Sequence, residues 1–350
     1  MTASVDIAEK LIRVIILLST ISILSPHNVD RTVAIAYFAL AVGELVSLIM
    51  LFICYKIQKS RISGNNGRAK SRIQLLFDVL VISAPLCLNG ILSSILSTVS
   101  ALVLPRRLVA SGFTYREALA LIGRFGGMAL SISFLPYIII GSMLTVLVPE
   151  LSLYISRKDF WSAEVRIAQV LKLACAVGIS TAIVCLSLPN TLGQLFYQRN
   201  DLGNMIRFSA PICMISFVSS PTFGILNALG KQNILLKNSL IISLESLLLI
   251  IILPGISSLN IYGYGLSMIL SSATALIINI IEIKKICEIK IGLQDIATLV
   301  LTGTAAYLVA GIAGRLLFEA APVIKAAVVA VTSFGTVLGL SGLFLNYKSP

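Results

Sequence analysis

Apolar positions in this chain do not alternate with polar ones; they run together. The runs cover about 7–24, 32–56, 75–104, 117–148, 165–189, 204–229, 234–253, 259–283, 295–317 and 322–346. Each is close to the roughly 20 residues that carry a helix across a bilayer. Within lipid a backbone must satisfy its own N–H and C=O groups, which an α-helix does along its whole length. The pattern therefore predicts an all-α, polytopic membrane protein of about ten transmembrane helices. Short polar connections separate the runs, punctuated by Pro26, Gly112, Pro189, Pro254 and Pro322.

Between Leu104 and Glu150 polar residues intrude on the pattern. Arg106 and Arg107 follow Pro105 at the end of one run, Gly112 marks a turn, and the next helix starts near Glu117. That helix carries Arg124 between Gly123 and Gly127, with Pro136 at its middle. Arginines and helix breakers at membrane depth line cavities or protein interfaces, because exposing them to lipid is costly. The Gly123–Gly127 spacing lets two helices approach closely. Glu44 and Glu245 also sit inside apolar runs, each a candidate proton or sodium site or a partner for an arginine. Asp78 and Asp295 fall near helix starts, where the macrodipole accounts for them. Pro136 and Pro211 are expected to interrupt their helices and to serve as hinges.

Composition agrees with a membrane protein: 57% of residues are hydrophobic and 12% charged, with a mean hydropathy of +0.98. The net charge of +12 would point to nucleic acid in a soluble chain. Here the basic residues gather in alternate loops: 57–72, Arg157–Lys158, Lys231–Lys237 and Lys284–Lys290. A ten-helix count puts these loops on one side, the cytoplasmic one by the positive-inside bias, with both termini. Arg106, Arg107 and Arg116 fall on the other side. Trp161 and Tyr154 read as interfacial anchors.

Chemistry is hard to build from what remains. Cys54, Cys87, Cys175, Cys185, Cys213 and Cys287 lie in or beside apolar runs without close pairing, and His27 is the single histidine. No metal site, cofactor site or nucleophile with a base emerges, and an enzyme is not expected. The start of the chain places Asp6, Glu9, Lys10 and Arg13 on one helical face, unlike a signal peptide. Segments 5–56 and 233–284 share a plan, with Pro26 and Pro254 at the same offset as Lys56 and Lys284. If that repeat is real, two equivalent halves would require four further helices ahead of the first copy. Parallel repeats with a site at their interface are a common transporter plan.

A family resemblance rests on specific residues. They are Leu104-Pro105-Arg106-Arg107-Leu108, Glu117-Ala118, the run Gly123 to Leu130, and Phe134-Leu135-Pro136. Val148-Pro149-Glu150 and Gly224 to Lys231 complete the set. With these the chain resembles the stage V sporulation protein B-like polysaccharide-biosynthesis flippases of the multidrug/oligosaccharidyl-lipid/polysaccharide exporter superfamily. Members have about fourteen helices, and this chain looks like the fifth through fourteenth. The resemblance implies a remnant of an N-terminal lobe at 1–56 and a basic cytoplasmic linker at 57–74. It further implies a six-helix lobe at 75–284 and two additional helices at 285–350.

By the same resemblance the function is flipping a polyprenyl-diphosphate-linked saccharide, a peptidoglycan or spore-cortex precursor, across the bacterial cytoplasmic membrane by alternating access. Arg107 matches the family position, whereas the family tends to carry glutamine where Arg106 and Arg124 stand. In that reading Arg107, Arg124 and Arg106 bind the diphosphate, for which a guanidinium fork is suited; the alternative is snorkelling to headgroups for Arg106 and Arg107, and a structural pair with an acid for Arg124. Asn227 would bond a sugar hydroxyl or merely bridge two helices. Glu44 and Glu245 would couple to H+ or Na+ or pair with an arginine. Rival readings are a cation-coupled multidrug exporter, a non-transporting truncated remnant, and a membrane glycosyltransferase or polymerase.

Overall fold

The computed structural model describes residues 10, 12–16, 18–19, 29–61, 72–288, 293–316 and 322–345, and all regular structure among them is helical. Pro26, His27 and most of the basic loop lie outside the described residues, as do the side chains of Asp78 and Asp295. The chain divides into two compact units, 1–75 and 76–350. Among the described residues, eight helices are long and apolar enough to cross a membrane, and a further apolar segment spans Ala297–Ala313.

In the first unit, helix α1 (Val29–Arg61) turns a stripe of small residues inward. Ala39, Gly43 and Ser47 are four residues apart and buried. A Cβ on Gly43 would sit 3.0 Å from Nε of Arg13, so the glycine seats that arginine. Arg13 in turn reaches Glu44 at 3.1 Å. Glu44 is thus half of an intramembrane ion pair within its own unit.

The second unit begins within α2 (Arg72–Ala110). Between residues 76 and 103 no described side chain of α2 is buried, and only its last turns enter the core, through Leu104, Pro105 and Leu108. Helix α3 (Tyr115–Ile122) opens with a capping box: Thr114 and Glu117 each bond the other's backbone N–H, which satisfies two donors the helix start leaves free.

The single helix expected at 117–148 is replaced by a broken one. After α3 comes a π-helical segment at Gly123–Ala129, then α4 (Leu130–Ser133), and a break at Phe134–Pro136. Helix α5 (Tyr137–Ser156) follows, with Pro136 at its N-cap. Proline has no N–H to give to the preceding turn, yet its fixed φ suits a helix start. The expected interruption at Pro136 is therefore present, although it begins a new helix instead of bending one. At Pro211 the expectation fails. That residue and Pro221 lie inside α8 (Gly203–Ala228), which continues through both. Each proline costs one backbone bond, and flanking helices support the rest of the ladder.

Helix α8 is the hub. It packs against α6 (Phe160–Ser187), against α5, against the short α7 (Pro189–Tyr197), and against α10 (Asn260–Lys284). Close approach to α6 depends on Gly178, where a Cβ would stand 3.1 Å from the Met214 carbonyl. Helix α9 (Gln232–Ile252) leans on α10. A hydrogen-bonded ladder ties these three helices: Asn238 donates to Asn279 at 3.0 Å, and Asn279 donates to Thr222 at 2.8 Å. All three are buried, so each polar group finds its partner inside the bundle. The hairpin α11 (Leu293–Leu316) and α12 (Pro322–Leu345) packs on α6 through Ala306, Ala310, Val329 and Val337.

Candidate functional site

Because α2 is anchored only at its end, space opens between it and the helices facing it. A cavity of about 430 Å3 lies there, walled by α2, α9 and α10. Seven serines line it: Ser93, Ser97, Ser100, Ser243, Ser246, Ser271 and Ser272. A second cavity of about 220 Å3 shares Ile242, Ser271 and Ser272 and adds Ser216, Ser219 and Ser220 from α8. Neither cavity is lined by Asp, Glu, Lys or Arg. The result is a hydroxyl-lined track between helices that are otherwise apolar.

Leu104 is the last α2 residue in the wall of the larger cavity, and Arg107 stands one turn beyond it on the same face. The Arg107 guanidinium rests on Gly255, where an added Cβ would meet Nη2 at 2.5 Å. Its Nε is buried without a hydrogen-bond partner. Ile250, one turn before Gly255's 3-10 turn, also lines the cavity. Arg107 is therefore a cation at one end of a neutral polar track. Tyr264 lines the same region and belongs to an aromatic cluster with Phe125 and Phe208, closed by Tyr262. Gly265 makes room for these rings.

The other candidates are placed as follows. Arg106 is exposed. Arg124 is half-exposed and reaches Asp201 at 3.4 Å, while Arg199 grips the same carboxylate through two bonds of 2.8 Å. These guanidiniums hold the Asp201 carboxyl below the usual carboxylate range, Arg199's hydrogen bonds first, against the opposing effect of partial burial. Arg124 is thus held by an acid from the α7–α8 connection and does not open onto the serine track. Nor do the glycines around it serve close helix packing within this unit: added Cβ atoms at Gly123, Gly126 and Gly127 would meet nothing within 4 Å. They coincide instead with the π-helical turn, and the Gly127 carbonyl accepts from Ser131 at 2.8 Å and from Tyr197 at 3.3 Å.

Glu245 accepts a hydrogen bond from Thr274 at 2.8 Å and pairs with no arginine among the described residues. Asn227 sits near the far end of α8, about 35 Å by helical rise from the Asp201 end, so the fold does not bring it to the arginines. Two buried thiols, Cys185 and Cys213, donate to Ser133 and are packing groups. No group of three or more metal-ligating side chains occurs among the described residues.

Sequence reading missed the serines and Asp201. The signal for the serines was available, since Ser93/Ser97/Ser100 and Ser243/Ser246 fall at helical spacing on apolar helices. Asp201 carried none, because its partner Arg124 is far away in sequence.

Comparison with known proteins places this architecture. No family model matches the chain. It is similar to stage V sporulation protein B of Bacillus subtilis (strain 168), 24% identical over 83% of this chain and 57% of that protein. It is also similar to sporulation protein YkvU of the same organism, 20% identical over 69% of this chain and 54% of that one. The chain spans little more than half the length of these curated relatives. Among solved structures, the lipid II flippase MurJ in an inward-closed conformation superposes with a TM-score of 0.54 over 96% of this chain and 66% of MurJ, at 16% identity. An outward-facing multidrug resistance MATE family transporter of the MOP superfamily gives 0.50 over 74% of this chain and 63% of that one, at 17% identity. A MOP superfamily transporter from Pyrococcus furiosus, whose binding pocket has reverse polarity, gives the same score and coverage at 16% identity. The likeness in sequence expected from the motifs stands, and the fold is an all-α polytopic fold shared with transporters of this superfamily.

Proposed function

We propose that this chain forms part of a flippase for a polyprenyl-diphosphate-linked saccharide, working by alternating access. The observation that carries this reading is Arg107, one helical turn beyond the end of an uncharged, hydroxyl-lined cavity between helices long and apolar enough to cross a membrane. A guanidinium binds phosphate oxygens in a planar fork, and a hydroxyl-lined wall receives a polar headgroup while the prenyl chain stays in lipid. The fold neighbours, a flippase and two transporters, support transport over enzymatic chemistry. In this reading residues 1–56 belong to one lobe and 75–284 to the other, joined by the basic segment 57–74, with 285–350 as the extra helices. The broken helix at Phe134–Pro136 supplies the hinge. The membrane is the bacterial cytoplasmic one with both termini inside, and a proton or sodium ion couples through Glu245 or Glu44. A spore-cortex or peptidoglycan precursor is the cargo that the likeness to sporulation proteins favours.

The test is binding of farnesyl diphosphate to the purified chain in nanodiscs, followed by translocation of a fluorescent polyprenyl-diphosphate saccharide in vesicles. Arg107→Gln should weaken diphosphate binding at least tenfold, on the order of the loss of one charge-assisted pair. Indifference to Arg107→Gln, combined with efflux of cationic drugs that depends on Glu245, would replace this reading with the exporter one.

A further inference from the structure

Two arginines share Asp201, and they share it unequally. Arg199 grips the carboxylate with Nε and Nη2, each at 2.8 Å. Arg124 only approaches it, with Nη1 at 3.4 Å, beyond the roughly 2.7–2.9 Å of a charge-assisted hydrogen bond. The Arg124 guanidinium donates no hydrogen bond among the described residues. Among the groups that lower the Asp201 pKa, Arg199's hydrogen bonds act most strongly and Arg124's charge least. Arg124 and Asp201 are also 40% and 41% exposed, where an ion pair is worth little. Arg124 can therefore leave while Asp201 stays paired with Arg199.

There is room for it to leave, and a reason to. Gly123, Gly126 and Gly127 keep the flanks of Arg124 clear. The π-helical segment packs on the start of α8 through Phe125 and Phe208. Residues 123–129 and 199–207 together carry Arg124, Arg199 and Arg207 against Asp201 alone. Arg207 is exposed and pairs with no acid among the described residues. The surroundings thus attract a further anion. They also adjoin the cavity: the Phe125 ring lies 6.1 Å from that of Tyr264, which lines the larger one. Arg107 lies against Gly255, in the turn that leads into α10 and Tyr264. Arg107 and Arg124 flank one aromatic cluster.

We infer that Asp201 is a placeholder anion, an autoinhibitory contact that keeps Arg124 from the headgroup site and gives it up to a phosphate of the bound cargo. This rests on the proposed function, in which Arg107 holds the diphosphate. The exchange is favourable because a diphosphate carries more than one negative charge, whereas the Asp201 carboxylate has one and shares it with Arg199. An anion too weak to displace the carboxylate gains nothing from Arg124.

The test measures farnesyl diphosphate binding to the full chain in phosphatidylcholine nanodiscs, whose lipid has no net charge. Asp201→Asn should tighten binding about threefold, on the scale of one exposed ion pair. Adding Arg124→Gln to Asp201→Asn should remove that gain. Arg199→Gln should act in the opposite direction: Asp201, its main partner gone, closes on Arg124, and binding weakens about twofold. In the Asp201→Asn background the same Arg199→Gln change should have no effect, whereas a general effect of charge would persist there. All three side chains are half-exposed, so these substitutions leave the core intact. The placeholder is overturned if Asp201→Asn does not tighten binding, if its gain survives Arg124→Gln, or if Arg199→Gln acts equally with and without Asp201. If farnesyl diphosphate does not bind, or binds independently of Arg107, the flippase reading fails and the placeholder fails with it. Arg107-dependent binding that is indifferent to Asp201 refutes the placeholder alone.

Discussion

Arg107 lies against Gly255 in the turn after α9: a Cβ there would come within 2.5 Å of Nη2. The glycine is a seat for the guanidinium. Since the atom in the way is the mobile end of a long side chain and not backbone, Gly255→Ala should leave the melting temperature almost unchanged. It should nonetheless push Arg107 off its position and weaken farnesyl diphosphate binding, nearly as much as Arg107→Gln does. Equal binding by the Gly255→Ala variant would show that this placement of Arg107 is not needed.

Gly263 makes the opposite case. A Cβ there would meet the Leu253 carbonyl carbon and oxygen at 2.6 Å and the Pro254 nitrogen at 2.8 Å. Backbone cannot step aside as a side chain can, so Gly263→Ala should destabilise the α9–α10 connection by about 1–3 kcal/mol, the usual cost of overpacking. Thermal unfolding of the detergent-solubilised protein reads this directly, and a variant as stable as the parent would contradict it.

The Asn238–Asn279–Thr222 ladder should depend on its middle member. Asn279→Leu strips partners from both Asn238 and Thr222. Interhelical hydrogen bonds in membranes are worth about 0.6 to 2 kcal/mol, so a loss of about 1 kcal/mol is expected. Asn238→Leu removes one bond and should cost less. Reversal of that order in unfolding measurements would exclude the ladder as drawn.

Acid should loosen the connection between α7 and α8. Asp201 has its pKa lowered in the folded protein by Arg199 and, more weakly, by Arg124. A carboxylate of this kind adds stability in full above its unfolded pKa and loses it as pH falls through the lower folded value. The Asp201→Asn variant should therefore show a flatter dependence of melting temperature on pH in the acidic range than the parent. Identical profiles would mean the pair contributes nothing. The site is largely exposed, so added salt should also reduce the effect.

The sequence by itself determined the helical, membrane-spanning character of the chain, because runs of apolar residues longer than a bilayer is thick admit one backbone solution. It marked Arg107 as a charge at the end of an apolar run and Pro136 as a helix break for similarly local reasons: charge is costly in lipid, and proline lacks an N–H. Its expectation of one helix across 117–148 failed because the residues around Pro136 are mostly apolar. Hydropathy therefore registers no turn there, nor does it register the π-helical segment at Gly123–Ala129, whose Phe125 packs against Phe208 and Tyr264. Only tertiary structure decided which polar groups meet. It gave Arg124 to Asp201, Glu245 to Thr274 and Glu44 to Arg13, and set Asn227 at the wrong end of α8 for a shared site. Pairing of this sort depends on helix register and rotation, which residue spacing within one helix does not contain. The serine track is the clearest case: its hydroxyls are legible one helix at a time, but they become a cavity only because α2 stands away from α9 and α10.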